Sequence, residues 1–366
     1  MELLRELCEA SGPPGFEDEI REIYRREITP LVDRVETDGL GNVIAVREGK
    51  GDAPRRVMLA GHLDEIGFVV KHVDDEGFVR LQTLGGFDVK TLSAQRVVIR
   101  NRQGERILGV LGSKPIHIMT DEERRKLPEI DDVFVDVGLT AEAAKAKVQI
   151  GNPVTLHQDF VAIGDYVSAK ALDNRVSIYT LVEALRRARD PRCEIYAVAT
   201  SQEEIGSRGA QTASHRIRPH VGVAIDVTLA CDVPGTKPHQ HVTRLRQGVG
   251  IKILDSSFIA APQLVEHCRR LAEEHGIPHQ MEILPAACRR SPSRSPPATC
   301  TASSRPCTGP TSRPPSISWL ASSRPPTSWI SPTAERSAKG PGDVASAPEN
   351  PVSCRLLAGT TAPARP

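Results

Sequence analysis

The chain has 366 residues, enough to bury a large core, and a length that suggests about two to three domains. Its net charge of +1 hides a division: the 82 residues from Pro285 onward hold ten Lys or Arg and three Asp or Glu, leaving the first 284 at −6. A mildly acidic body without a basic stripe gives no support for a nucleic-acid partner, and the lack of any run of about 18 apolar residues argues against a membrane span. The eight cysteines form no CxxC pair, and the opening MELLRELCEA is charged throughout. A reduced, cytoplasmic setting is expected.

In chain order, Glu2 to Ala10 and Asp18 to Glu27 read as helices, separated by the breaker Ser11-Gly12-Pro13-Pro14-Gly15, whose plainest role is a tight turn. Val43 to Val46 and Val57 to Ala60 read as short buried strands, and Gly61 punctuates the second directly before His62. From about Phe68 to Ile163 the texture changes to closely spaced β segments such as GFVVKHV, GFVRLQTL, RVVIRN and RILGVLG. That spacing predicts a small inserted β-barrel or sandwich. Asn174 to Arg187 is a helix with Ile178, Leu181, Val182 and Leu185 on one face. Cys193 to Thr200, Val221 to Val227, Ile251 to Leu254 and Gln280 to Leu284 read as strands, with a helix from Ala261 to His275. The resumed alternation predicts an α/β fold, a central sheet flanked by helices.

At Pro285 the pattern breaks. The remaining residues hold 16 of the 29 prolines, no histidine, and no sustained strand or helix periodicity. They read either as a disordered, weakly basic tail or as the product of a shifted coding frame near Pro285 to Cys288. The abruptness of the change favours the shift.

Six residues lie at or just beyond the ends of short apolar runs: His62 and Asp64 in AGHLDEIGF, Asp173 in KALDNR, Glu203 and Glu204 in TSQEEIGSRG, and Asp226 in VAIDV. Parts of one sheet could bring this imidazole and these carboxylates together, the outline of a two-metal hydrolase. Such a site needs terminal ligands on each ion, a bridging carboxylate, and a general base that is not itself a ligand. Taken singly, each residue has a plainer reading. His62 suits a satisfied polar residue after a strand, Asp173 a helix N-cap, and the Glu pair an exposed acidic loop. Against these, adjacent carboxylates after a buried strand repel one another unless a positive charge is near, and a buried Asp226 is costly without a partner or ion.

As an ordered set, these motifs closely resemble the glutamyl aminopeptidase family, the self-compartmentalising tetrahedral aminopeptidases that are sometimes labelled cellulase M or endoglucanase. SGPPGFE, DGLGN, GVLGSKPIH and GIPHQMEILP extend the resemblance over nearly all of residues 1 to 285. It implies a metallo-aminopeptidase acting on short peptides, with His62 and Asp226 on one metal, Asp173 bridging, Glu204 on the second metal, Glu203 as general base and Asp64 orienting His62. It further implies two divalent ions per subunit, for which zinc, cobalt or manganese suit such ligands, and a homo-oligomer, a dodecamer built from dimers. The chain then divides into a catalytic α/β domain at 1–67 and 165–285, an inserted β domain at 68–164 that serves assembly, and an aberrant or disordered tail at 286–366.

The chain departs from this family after Leu284-Pro285. Where members continue with a Gly-Gly-Thr-Asp segment and later a ligand histidine, this sequence has Ala286-Ala287-Cys288-Arg289, and no histidine follows His279. As written, the second metal site is incomplete. Competing expectations are a deacylase on the same two-metal core and a non-catalytic assembly remnant. An endoglucanase is disfavoured, because glycosidases work with a carboxylate pair and need no His-Asp metal cluster.

Overall fold

The computed structural model describes residues 1–255 and 258–284, together with the backbone of two short strands at 302–303 and 352–356. The central sheet has six strands in the order β1-β2-β12-β3-β13-β17: β1 Arg34–Thr37, β2 Val43–Arg47, β12 Glu194–Thr200, β3 Arg56–His62, β13 Val221–Ile225 and β17 Val352–Leu356. β3, β12, β13 and β17 run parallel, and β1 and β2 are antiparallel additions beside β12. Helices α1 (Glu2–Glu9), α2 (Asp18–Ile28), α5 (Leu172–Arg187) and α6 (Arg208–Ile217) cover the sheet. On one side Ile20, Tyr24 and Ile28 of α2 and Ile178, Leu181, Val182 and Leu185 of α5 pack on Val43, Leu59 and Ala197. On the other, Ala213 and Ile217 of α6 meet Ile44, Met58 and Val198. Each Val, Leu, Ile or Met among them contributes about 1.5–3 kcal/mol when fully buried. The face read from sequence for α5 is the buried one.

Between β3 and α5 the chain forms a closed barrel in the order β4-β5-β8-β7-β6-β9. Its strands are β4 Gly67–Val73, β5 Val79–Leu84, β6 Arg96–Arg100, β7 Arg106–Ser113, β8 Val133–Asp136 and β9 Pro153–Leu156. Short helices α3 (Asp121–Arg125) and α4 (Ala141–Lys147) lie in its connections. Alternate residues such as Phe68, Val70, Leu81, Val97, Ile99 and Val135 fill its interior, the period-two pattern that distinguishes this segment from the α/β body. Closure also removes the edge strands an open insert would expose. Beyond it, β10 (Val161–Ile163), β11 (Tyr166–Ser168) and β16 (Ala302–Ser303) form a small antiparallel sheet.

Three details depart from the sequence expectations. β14 (Val249–Leu254) and β15 (His279–Ile283), joined by α7 (Pro262–Glu274), pair in parallel with each other as a separate two-stranded sheet instead of extending the central one. Asp173 does not cap a helix: α5 starts from a left-handed Ala171, and Asp173 and Asn174 lie off the helical conformation. The tail, expected to lack strands, places Val352–Leu356 beside β13, where it pairs with main-chain groups that would otherwise form a sheet edge. Apart from Ala302–Ser303 beside β11, the remainder of the predicted disordered or aberrant tail lies outside the described residues.

Candidate metal centre

The site sits at the C-terminal end of the parallel strands, where open α/β sheets place their ligands. His62 is the last residue of β3 and stands opposite Thr200, the last of β12, so Glu203 and Glu204 leave the sheet beside it. Asp226 directly follows β13, and Asp173 enters from the start of α5. α5 can lie close to β3 because Gly61 has no side chain: a Cβ there would come within 2.9 Å of Ser177 Cβ. Asn174 ties the same turn to the sheet by donating its side-chain N–H to the Ile225 carbonyl at 3.1 Å.

His62 is buried, and its Nδ1–H donates to the main-chain carbonyl of Asp64 at 2.9 Å. That bond orients the ring and turns Nε2 toward Asp173 Oδ1 at 3.1 Å and Asp226 Oδ1 at 3.9 Å. One potential ligand atom from each of His62, Asp173 and Asp226 lies within 4.8 Å of the others, and the same holds for His62, Glu203 and Glu204. The five residues expected to surround the metals are therefore together.

Asp64 does more than sequence suggested. Its buried carboxylate lies 3.4 Å from His62 Nδ1, and it also accepts the main-chain N–H groups of Glu203 on Oδ1 and Glu204 on Oδ2, both at 2.9 Å. One side chain thus fixes the acidic pair as well as the imidazole. The two glutamates differ in their surroundings: Glu204 is buried, whereas Glu203 is half-buried and accepts a hydrogen bond from Ser207 Oγ at 2.8 Å.

The electrostatics are those of a site short of positive charge. Burial pushes the carboxyls of Asp173 and Glu204 above the usual carboxylate range, and for Glu204 repulsion from Asp173 adds to the effect. Burial opposes a proton on His62, but its hydrogen bonds to Asp173 and Asp64 prevail and hold its pKa well above the ordinary value. Four carboxylates, apart from the Asp64 held by main-chain N–H groups, converge on one imidazole. This hard-oxygen and imidazole donor set suits divalent cations of the zinc, manganese and cobalt type.

A second layer of residues, not singled out from sequence, supports the first. Glu65 is buried and pairs with Lys170 Nζ at 2.7 Å and Arg175 at 3.4 Å, while accepting the main-chain N–H of Gly12 at 3.1 Å. The Ser11–Gly15 breaker is thus more than a turn, since its backbone anchors the segment that follows His62. Glu17 accepts the N–H groups of Gly15 and Gln202, and Asn42 binds the main chain at Ser201 and Gly209 on either side of the acidic turn. The available signal was charge placement: Glu65 adjoins Asp64, and Lys170 and Arg175 flank Asp173.

Among known families, the profile described as M42 glutamyl aminopeptidase matches residues 41–288. The lysyl aminopeptidase of Pyrococcus furiosus is 35% identical over 289 residues, which is 78% of this chain and 81% of that protein. The crystal structure of a TET aminopeptidase from a marine sediment Thaumarchaeota archaeon is similar at 39% identity and a TM-score of 0.73, covering 77% of this chain and 80% of the other. The TET1 peptidase of Pyrococcus horikoshii, described as able to assemble into a tetrahedron or a large octahedral shell, is 29% identical with a TM-score of 0.69, covering 77% of this chain and 84% of the other.

Proposed function

Because this chain belongs to the M42 glutamyl aminopeptidase family, and is therefore a peptidase, we propose that it releases N-terminal residues from peptides at a two-metal centre. His62 and Asp226 would hold one ion, Glu204 the second, and Asp173 would serve both. The observation that carries this reading is the convergence of His62 with carboxylate oxygens of Asp173, Asp226, Glu203 and Glu204, its Nε2 lying 3.1 Å from Asp173 and 3.9 Å from Asp226. Divalent ions bound there would supply Lewis acidity toward a carbonyl and a water molecule. Glu203 takes the proton from the attacking water and returns it to the leaving amine. Ser207 steadies its Oε1, and Asp64 keeps the turn beneath it in register. The acidic surroundings also attract the free amino group of the substrate.

The test is release of free residues from unblocked peptides but not from N-acetylated ones, with loss of activity on chelation. Release only from acylated amino acids would make the chain a deacylase on the same core. Lysyl and glutamyl names within one family leave the side-chain preference to a panel of aminoacyl arylamides. The assembled neighbour supports an oligomer, proposed as a dodecamer in which the barrel segment 68–164 serves assembly. A monodisperse monomer in light scattering would count against it. Among the described residues no helix is long and apolar enough to cross a membrane, and cytoplasmic placement remains part of the proposal.

Removing metal should expose what the carboxylates cost. Asp173 and Glu204 lie above their ordinary values of 3.8 and 4.5, so the unfolded chain gives up those protons more readily than the folded one. In the metal-free chain, stability from these groups is full below those values and is lost as pH rises toward the raised ones. The raised His62 acts in the same direction above its ordinary 6.5. Glu204→Gln is therefore expected to be more stable than the parent without metal, by a margin that grows from about pH 4.5 upward, yet to gain less stability from added zinc. Urea midpoints across that range, with chelator and with zinc, measure both. A variant that is less stable than the parent throughout the metal-free series contradicts the assignment.

A further inference from the structure

We propose that Gly85, in the turn that leaves the barrel strand β5, is a positioning residue for Glu204, so that the barrel forms one wall of the metal centre. The proposal rests on the reading of Glu204 as a metal ligand. Gly85 follows Leu84, whose register partner is Gly67 at the start of β4, so the turn lies at the root of the barrel next to the His62–Glu65 segment. Its φ of +89° is one that side chains rarely adopt. A Cβ at this position would lie 2.6 Å from Ile66 Cγ2 and 3.3 Å from both Cβ and Oε2 of Glu204.

The absence of a side chain at residue 85 thus lets main chain from the barrel close against the glutamate arm. Glu204 is confined from two sides: Asp64 accepts its main-chain N–H at 2.9 Å, and its Cβ and Oε2 border the space that a Cβ at residue 85 would take. Either contact alone leaves the carboxylate free to swing about χ angles, and a ligand must be held within a fraction of an ångström of its working position.

Gly104 supplies a control from the same barrel. Its φ is +84°, and a Cβ there would meet nothing within 4 Å. Gly104→Ala therefore imposes the backbone cost without the contact. In the full chain, Gly85→Ala is expected to weaken Zn²⁺ binding by about tenfold or more, whereas Gly104→Ala, which carries the backbone cost alone, binds as the parent does. In the Glu204→Gln background Gly85→Ala should weaken Zn²⁺ binding no further, because the displaced side chain is then no longer a ligand. If Gly85→Ala does not fold, Ile66→Ala opens the space that a Cβ needs, and the Ile66→Ala/Gly85→Ala pair retains the approach to Glu204. Parent-like Zn²⁺ binding by Gly85→Ala, or the same loss with and without Glu204, would overturn the proposal. Unchanged binding in Glu204→Gln alone would instead remove Glu204 from the metal.

Discussion

Glu203→Gln is expected to retain the metal content of its parent while losing about 10² to 10⁴ in turnover, the usual worth of a general base. The substitution is mild in every other respect. Asp64 accepts the main-chain N–H groups of residues 203 and 204, so the turn does not depend on the Glu203 side chain. The amide matches the carboxylate in size, and its oxygen can still accept from Ser207 Oγ. What it cannot do is take up a proton from water. Glu204 differs because it is buried and proposed as a ligand, so its amide should cost metal as well as rate. Metal analysis together with initial rates on leucine and glutamate arylamides, in a chain with a family-like C-terminal segment restored, separates the two residues. Near-normal turnover by Glu203→Gln would exclude it as the base.

Much of this centre was legible because strand ends are legible. A short apolar run closed by Gly61 marks where β3 stops, and a polar residue there must face the sheet's C-terminal rim, which is how His62 and Asp226 declare themselves. The inserted barrel shows in the same way, through its period-two strands. Contacts between distant segments are different in kind. Asp64 reads as a partner for its neighbour His62, but the main-chain N–H groups it grips lie 139 and 140 residues away. The Asp173 carboxylate suits an N-cap by local rules, and tertiary packing places it instead against His62 Nε2. The Gly85 turn reads as ordinary punctuation because the glutamate that requires its missing side chain is 119 positions on. The pairing of Lys170 and Arg175 with Glu65 is hidden for the same reason.

The chain as written is expected to be weakly metallated and poorly active, and a version with its reading frame restored near residue 285 to recover both properties. The lysyl aminopeptidase match covers 289 residues, close to the 284 that precede Pro285, and 81% of that protein. This chain goes on instead with 82 residues containing 16 prolines and no histidine. Val352–Leu356 lies beside β13 and extends the sheet by main-chain pairing, yet nothing beyond His279 can supply an imidazole to the ion that Glu204 is proposed to hold. Without that neutral ligand the ion would bind less tightly, and wherever it is absent Glu204 and Asp173 stay buried without the charge that would compensate them. Sequencing the gene across codons 280 to 300 tests the shift itself. Expressing both versions and measuring bound metal and arylamide hydrolysis tests its consequence. If the written chain binds two ions per subunit and turns over like the restored one, a histidine from the C-terminal segment is dispensable, and the second ion is held by Glu204 and Asp173 without it.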